Sequence, residues 1–223
     1  YQVLFSITLF ITHWFIVALP EKDWSTQYRN YDKEYHILSK YEDLRLTDLH
    51  EFSSPSSRNF TTLYFFNGSL LVGARNSILI MNTTTNIQNV TEINWTPLES
   101  QQKRFCILSG TPEDECYNFV KVLAVFGNKL LSCGTNSHYP TCMWREVNTL
   151  QMTSGASPFT IQGFVSANPH LKSAYTFSDD GRFFSAATMD FAGNDKRIMN
   201  TEFQNFQPYR MLFTKQNNPY WLD

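Results

Sequence analysis

The residues able to do chemistry are few. Asp190 and Asp195 form one carboxylate pair close in sequence, with Asp179 and Asp180 a short way upstream. General acid–base work needs two carboxylates in different environments facing one cleft. Asp179-Asp180-Gly181 reads instead as hairpin-turn chemistry. Asp190 and Asp195 flank Gly193 and read as caps for loop backbone groups. His13, His36, His50, His138 and His170 are scattered as surface or loop residues, and the chain has no G-x-S-x-G, phosphate loop or H-E-x-x-H. The expectation is no enzyme, no cofactor, no metal and no small-molecule substrate.

The cysteines are Cys106, Cys116, Cys133 and Cys142. Four cysteines allow three pairings, of which the local one closes two short loops. Each loop of ~10 residues would contribute about 2–3 kcal/mol by chain entropy. A zinc site using His138 competes with that reading, but no C-x-x-C is present and the spacings fit no usual ligand set. Asn59, Asn67, Asn82, Asn89 and Asn94 each begin an N-x-S/T triplet, a pattern that takes a glycan where the asparagine is exposed and secreted. The tight turn at Asn67 would hinder a glycan there.

Three hairpins must position these groups. Residues 62–76 turn at Asn67-Gly68, Phe119–Val125 and Lys129–Cys133 are joined through Phe126-Gly127-Asn128, and residues 174–188 turn at Asp180-Gly181. Asn-Gly, Gly-Asn and Asp-Gly supply the positive φ of tight turns, and the flanking runs are apolar and β-branched. A bulky pair opens each return strand (Leu70-Leu71, Leu130-Leu131, Phe183-Phe184) and small residues follow (Gly73-Ala74, Cys133-Gly134, Ala186-Ala187). Small residues at matching places let backbones approach closely. The pairs recur every 53–60 residues, and a β-only repeat near ~50 residues points to propeller blades rather than a helical solenoid. Three unrelated hairpins in one β-sandwich are the plainer alternative.

Composition agrees with a β-rich globular chain: 42% of the 223 residues are hydrophobic, 16% aromatic and 17% charged, against ~25% charged in an average soluble domain. A net charge of −2 offers no basic field for nucleic acid.

Glu115-Cys-x-Asn-Phe-Val-Lys-Val-Leu123, followed by Leu130-Leu-x-Cys-Gly-Thr-Asn-x-x-x-Pro-x-Cys142, resembles the signature of the semaphorin family in its sema domain. Leu71-Val-Gly-Ala-Arg-Asn76 resembles the family's first-blade motif, residues 186–195 its third-blade motif and Trp221-Leu222 a tryptophan motif that follows. The resemblance covers approximately residues 35–223 and leans towards class-5 members. Ser157-Pro158 stands where many semaphorins have Cys-Pro, so a long-range disulfide is lost there.

The resemblance implies an all-β, partial sema-type propeller, about two and a half of seven blades, and the local pairing Cys106–Cys116 and Cys133–Cys142. It implies an extracellular ligand that binds a plexin-type receptor in axon guidance and cell migration, with a homodimer in the full-length protein. It places receptor contacts on the segment around Tyr209, Arg210 and Lys215. Strand alternation there would put Arg210 and Lys215 at the rim and Leu212 inside. A secreted propeller glycoside hydrolase using Asp190 or Asp195 is the alternative of another class, and a sema-domain receptor of the plexin type is a third.

Residues 2–20 carry no Asp, Glu, Lys or Arg, and Glu21, Lys22 and Asp23 end the run. The segment 1–20 is expected to be a signal peptide or signal anchor, followed by a lead-in at 21–42 and the N-terminal part of the sema domain at 43–223. That order sends the chain into the secretory pathway, to the extracellular space or the cell surface. Tyr1 at the start and Trp221-Leu222 at the end read as the bounds of a piece of a longer chain.

Overall fold

The computed structural model describes residues 58–83, 90–97 and 100–214. The signal segment, the lead-in, Trp221-Leu222, Asn89 and Lys215 lie outside them. The described chain forms three four-stranded antiparallel sheets, each made from one continuous stretch in up-and-down order. Blade 1 holds β1 (Arg58–Phe66), β2 (Ser69–Arg75), β3 (Ser77–Asn82) and β4 (Val90–Asn94). Blade 2 holds β5 (Val120–Phe126), β6 (Lys129–Gly134), β7 (Thr141–Glu146) and β8 (Phe159–Thr160), and blade 3 holds β9 (Ala174–Phe177), β10 (Phe183–Thr188), β11 (Lys196–Gln204) and β12 (Gln207–Phe213). This is the architecture of consecutive propeller blades. Among the described residues the partial propeller amounts to three four-stranded sheets, of which the two-residue β8 is too short to carry an alternation that sequence could show.

The hairpin turns follow the expected chemistry. Asn67 at φ 46° and Gly68 at φ 73° form the two-residue turn that pairs Phe66 with Ser69, both in the region a primed turn requires. Gly127 at φ 59° opens the turn between the paired Phe126 and Lys129. The bulky residues after these turns are core: Leu71, Leu130, Leu131 and Phe183 are all 0% exposed. The small residues mark close approaches. A Cβ on Gly73 would lie 2.7 Å from the Val120 carbonyl oxygen of the next blade, nearer than any side chain tolerates.

Each blade buries one face on the next. Leu71 and Ile78 of blade 1 meet Val120, Leu123 and Leu130 of blade 2, with Trp95 from the connector closing the cluster. On the other face of blade 2, Val122, Leu131 and Trp144 meet Phe183 and Met199 of blade 3 together with Phe159 and Phe164. Polar pins cross the same boundaries. The Tyr175 hydroxyl accepts the Leu123 N–H at 3.1 Å and lies 3.3 Å from the Thr62 hydroxyl, so one phenol joins the first strand of all three blades. Lys121 donates to the carbonyls of Pro169 and Leu171, and burial pushes its ammonium down to about 8. Arg145 is buried with its guanidinium over the Trp95 ring at 4.8 Å and donates to Ser132 Oγ and the Leu150 carbonyl, each at 3.0 Å. Desolvation there pushes it down to about 10.

Between blades 1 and 2 run helix α1 (Ser100–Leu108) and, after a short turn, one separate 3₁₀ turn at Glu113–Glu115. It has no apolar stripe: Phe105, Ile107 and Leu108 are exposed while Cys106 is buried. A disulfide and an ion pair hold it instead, with Lys103 2.8 Å from Glu113 and over the Tyr117 ring at 4.4 Å.

Candidate functional site

Cys106 is bonded to Cys116 and Cys133 to Cys142, with 10 and 9 residues of separation. The second bond joins directly opposed residues one step inside the ends of β6 and β7, so the loop 135–140 that follows the Gly134–Thr141 pair lies under a covalent clasp. The first ties α1 to the entry of β5. Replacing Cys106 and Cys116 together by serine is expected to lower stability by about 2–3 kcal/mol, the loop-closure entropy of a ~10-residue ring. Thermal unfolding of the oxidised chain measures this, and non-reducing peptide mapping identifies the pairs. An unchanged melting temperature would show that the bond only decorates the connector.

Asn118, the last residue of the Glu-Cys-x-Asn motif, is 0% exposed and joins three segments. Its Nδ2 donates to the Trp95 carbonyl at 2.9 Å, its Oδ1 accepts the Asn136 N–H at 3.0 Å, and its own N–H donates to Asn76 Oδ1 at 2.9 Å. Gly134 is glycine because a Cβ there would fall 2.0 Å from Asn118 Oδ1. The bonded loop then holds three successive residues in the left-handed region, Asn136 at φ 43°, Ser137 at φ 53° and His138 at φ 71°. Each such residue costs roughly 1–2 kcal/mol, and the surroundings over-determine the conformation. Asn136 Nδ2 donates to Thr141 Oγ1 at 2.8 Å and Ser137 Oγ to the Cys116 carbonyl at 2.8 Å. His138 packs on the Phe191 ring at 4.2 Å with Nε2 3.5 Å from Cys106 Sγ, and burial lowers its pKa. Nothing in sequence spacing announced Asn118 as a hub, and the available signal was an asparagine standing directly before the apolar run that becomes β5.

The carboxylates have other partners. Asp190 accepts the N–H groups of Asn194 at 3.1 Å and Asp195 at 2.8 Å, the backbone cap expected, and those bonds hold its carboxyl below its usual pKa. Asp195 does not cap: it receives two Arg197 N–H bonds at 2.8 Å in a fork-to-fork pair. Asp180 sits in the β9–β10 turn, paired with Arg182 at 3.0 Å. Among the described residues no cluster of three or more His, Cys, Asp or Glu is placed to hold a metal.

Tyr209 and Arg210 lie on β12, the outer strand of blade 3, with Arg210 opposite Glu202. Both are exposed, Tyr209 at 71%. Leu212 is not inside as alternation suggested: it is 55% exposed, with Met211 and Phe213 also exposed. β12 is an edge strand, pairing only with β11 among the described strands, and residues 209–213 are exposed whichever face they point to, so no rim and interior separate. Of the sequon asparagines, Asn59, Asn67, Asn82 and Asn94 are all exposed, on β1, in the β1–β2 turn and at the ends of β3 and β4.

No protein-family model matches this chain. Mouse Semaphorin-5B is 29% identical over 225 residues, which cover 99% of this chain and 20% of the relative. The fold superposes on Drosophila Semaphorin 2a with a TM-score of 0.63 at 21% identity, covering 74% of this chain and 30% of that one. It also superposes, with a TM-score of 0.56 at 28% identity, on a chain of the solved complex of Drosophila Plexin A with Semaphorin 1b, covering 66% of this chain and 28% of that one. The chain thus spans about a fifth of the length of the curated relative it matches. With this blade architecture and the cysteine-clasped loop, the chain is similar to class-5 semaphorins over most of its length and has the fold of part of a sema-domain β-propeller.

Proposed function

We propose that the protein carrying this chain is an extracellular semaphorin-type signalling ligand that binds a plexin-type receptor, acts in axon guidance and cell migration, and is not an enzyme. The likeness to a chain of the Plexin A–Semaphorin 1b complex is the observation that carries the reading. Residues 1–20 act as signal peptide or anchor, 21–42 as lead-in and 43–223 as the N-terminal part of the sema domain, and the full-length protein is a homodimer at the cell surface or outside the cell. The hydrolase alternative loses its support, since Asp190 and Asp195 are taken up by backbone amides and Arg197.

The contact surface proposed is the outer edge of blade 3 with Tyr209 and Arg210, to which the sequence reading adds Lys215, outside the described residues. Exposed cation and aromatic side chains on one edge strand suit a partner of opposite charge. Arg210→Glu in the full-length protein is expected to weaken binding to a plexin-type receptor by about 1–3 kcal/mol, because a rim charge is reversed against a complementary surface. Surface-binding assays with folding checked by circular dichroism read this out. Unchanged affinity removes the edge from the interface, and no binding by the parent protein removes the receptor class.

A further inference from the structure

A cavity of about 400 Å³ opens between blades 1 and 2 on the side of the hairpin turns. Its lining includes Phe66 and Asn67 of blade 1 and Asn128, Glu146, Asn148 and Thr149 of blade 2. The volume falls within the ~300–1,000 Å³ of small-molecule clefts. An aromatic ring joined by amides, a hydroxyl and a carboxylate is a lining suited to a sugar: the ring covers an apolar C–H face, and the polar groups both donate to and accept from hydroxyls and an acetamide. Asn67, Asn128, Asn148 and Thr149 are exposed residues of that lining. Glu146 is held in place by its ion pair with Lys129.

The second observation is that the mouth of this cavity contains a sequon. Asn67-Gly68-Ser69 contributes both Asn67 and Ser69 to the lining. The tight turn, which would hinder a glycan if it folded the asparagine inward, leaves Asn67 exposed instead. Tethering places the first sugars at the cavity whenever the site is modified, so seating them needs little intrinsic affinity.

We infer that Asn67 carries an N-linked glycan whose first N-acetylglucosamine residues occupy the groove between blades 1 and 2 and clamp the two blades. The inference rests on the secretory-pathway reading above. In the transfer, the Asn67 amide nitrogen forms a bond to the anomeric carbon of a lipid-diphosphate-linked oligosaccharide. The carbon–oxygen bond to diphosphate breaks, the lipid diphosphate leaves with its electron pair, and the nitrogen gives up one proton. Asn59, Asn82 and Asn94 line no part of this cavity, so their glycans would extend into solvent.

The test uses the full-length protein secreted from cultured animal cells. Glycopeptide mass spectrometry reads occupancy at each sequon, and a time course with a peptide-N-glycosidase under native conditions reads release site by site. The Asn67 glycan should be released about tenfold more slowly than that at any other occupied site, the factor that 1.4 kcal/mol of seating would give. Asn148→Ala with Thr149→Ala, both exposed positions, should abolish the difference, whereas hindrance by the turn alone would survive these changes. An empty Asn67 beside an occupied neighbouring sequon, equal release rates, or protection that persists in the double variant each overturns the inference. All five sequons empty in the secreted protein would overturn the inference alone. Full-length protein that stays in the cytosol, absent from both medium and cell surface, would overturn the secretory reading, which separates the two failures.

Discussion

Asn118→Ala is expected to destabilise the chain by about 3–5 kcal/mol, more than the loss of either disulfide. The residue is 0% exposed and supplies a donor to the Trp95 carbonyl and an acceptor for the Asn136 N–H. Alanine removes both partners at once and leaves two buried backbone groups unpaired, each costing roughly 1–3 kcal/mol. Two consequences follow from which bonds are lost. The Trp95 bond pins the connector to blade 2, and the Asn136 bond holds the start of the left-handed run. The melting temperature should therefore fall by roughly 6–20 °C for a chain of this size. A loss below about 1 kcal/mol, read by denaturant titration of the oxidised chain, would show that water reaches both groups.

The second large effect is predicted at Phe183. It is 0% exposed, and its ring centroid lies 4.9 Å from that of Phe164 and 5.0 Å from that of Phe177. Phe183→Ala should cost about 3–5 kcal/mol, combining lost transfer energy with a cavity that the surrounding rings cannot close. Phe65→Ala is the matched control: it stands on β1 at 65% exposure, and exposed substitutions of this kind change stability by about 0.5 kcal/mol or less. If both variants melt alike, the seam between blades 2 and 3 is not the cooperative core of the described chain.

What could be read in the sequence was what local chemistry dictates. Asn67-Gly68, Gly127 and Gly181 announce their turns because positive φ is costly for other residues, and all four sit at positive φ. Leu71, Leu131 and Phe183 announce the core because bulky residues recur after each turn. What stayed hidden depends on partners distant in the chain. Helix α1 has no periodic apolar face and is held by Cys116 and Glu113 from outside itself. The β11–β12 turn places Asn205 at φ 50° and Phe206 at φ 62°. A phenylalanine there is disfavoured locally, yet its ring is packed with Trp144, 6.0 Å between centroids. The same holds for the candidate sites. Cysteines and sequons are written in the sequence, whereas Asn118, Tyr175 and the sugar-sized groove exist only once two or three blades have met.

The two disulfides span 10 and 9 residues, and each sheet is cut from one unbroken stretch. At synthesis rates of about 5–20 residues per second, both members of each cysteine pair emerge within roughly two seconds of one another. Each sheet likewise has all its strands in hand before the next begins to appear. A crossed pair could form only if Cys106 or Cys116 stayed unbonded until Cys133 emerged, so pairing in order of emergence favours the two local bonds. Hairpins close in about 1–10 μs, far faster than the next strand arrives, and the slow events become those that wait for a later blade. Closure of the Tyr175 hydroxyl onto Thr62 and Leu123 is one of them. The polypeptide is therefore ordered for vectorial assembly, with covalent ties set locally and the inter-blade seams sealed in the order in which they are translated.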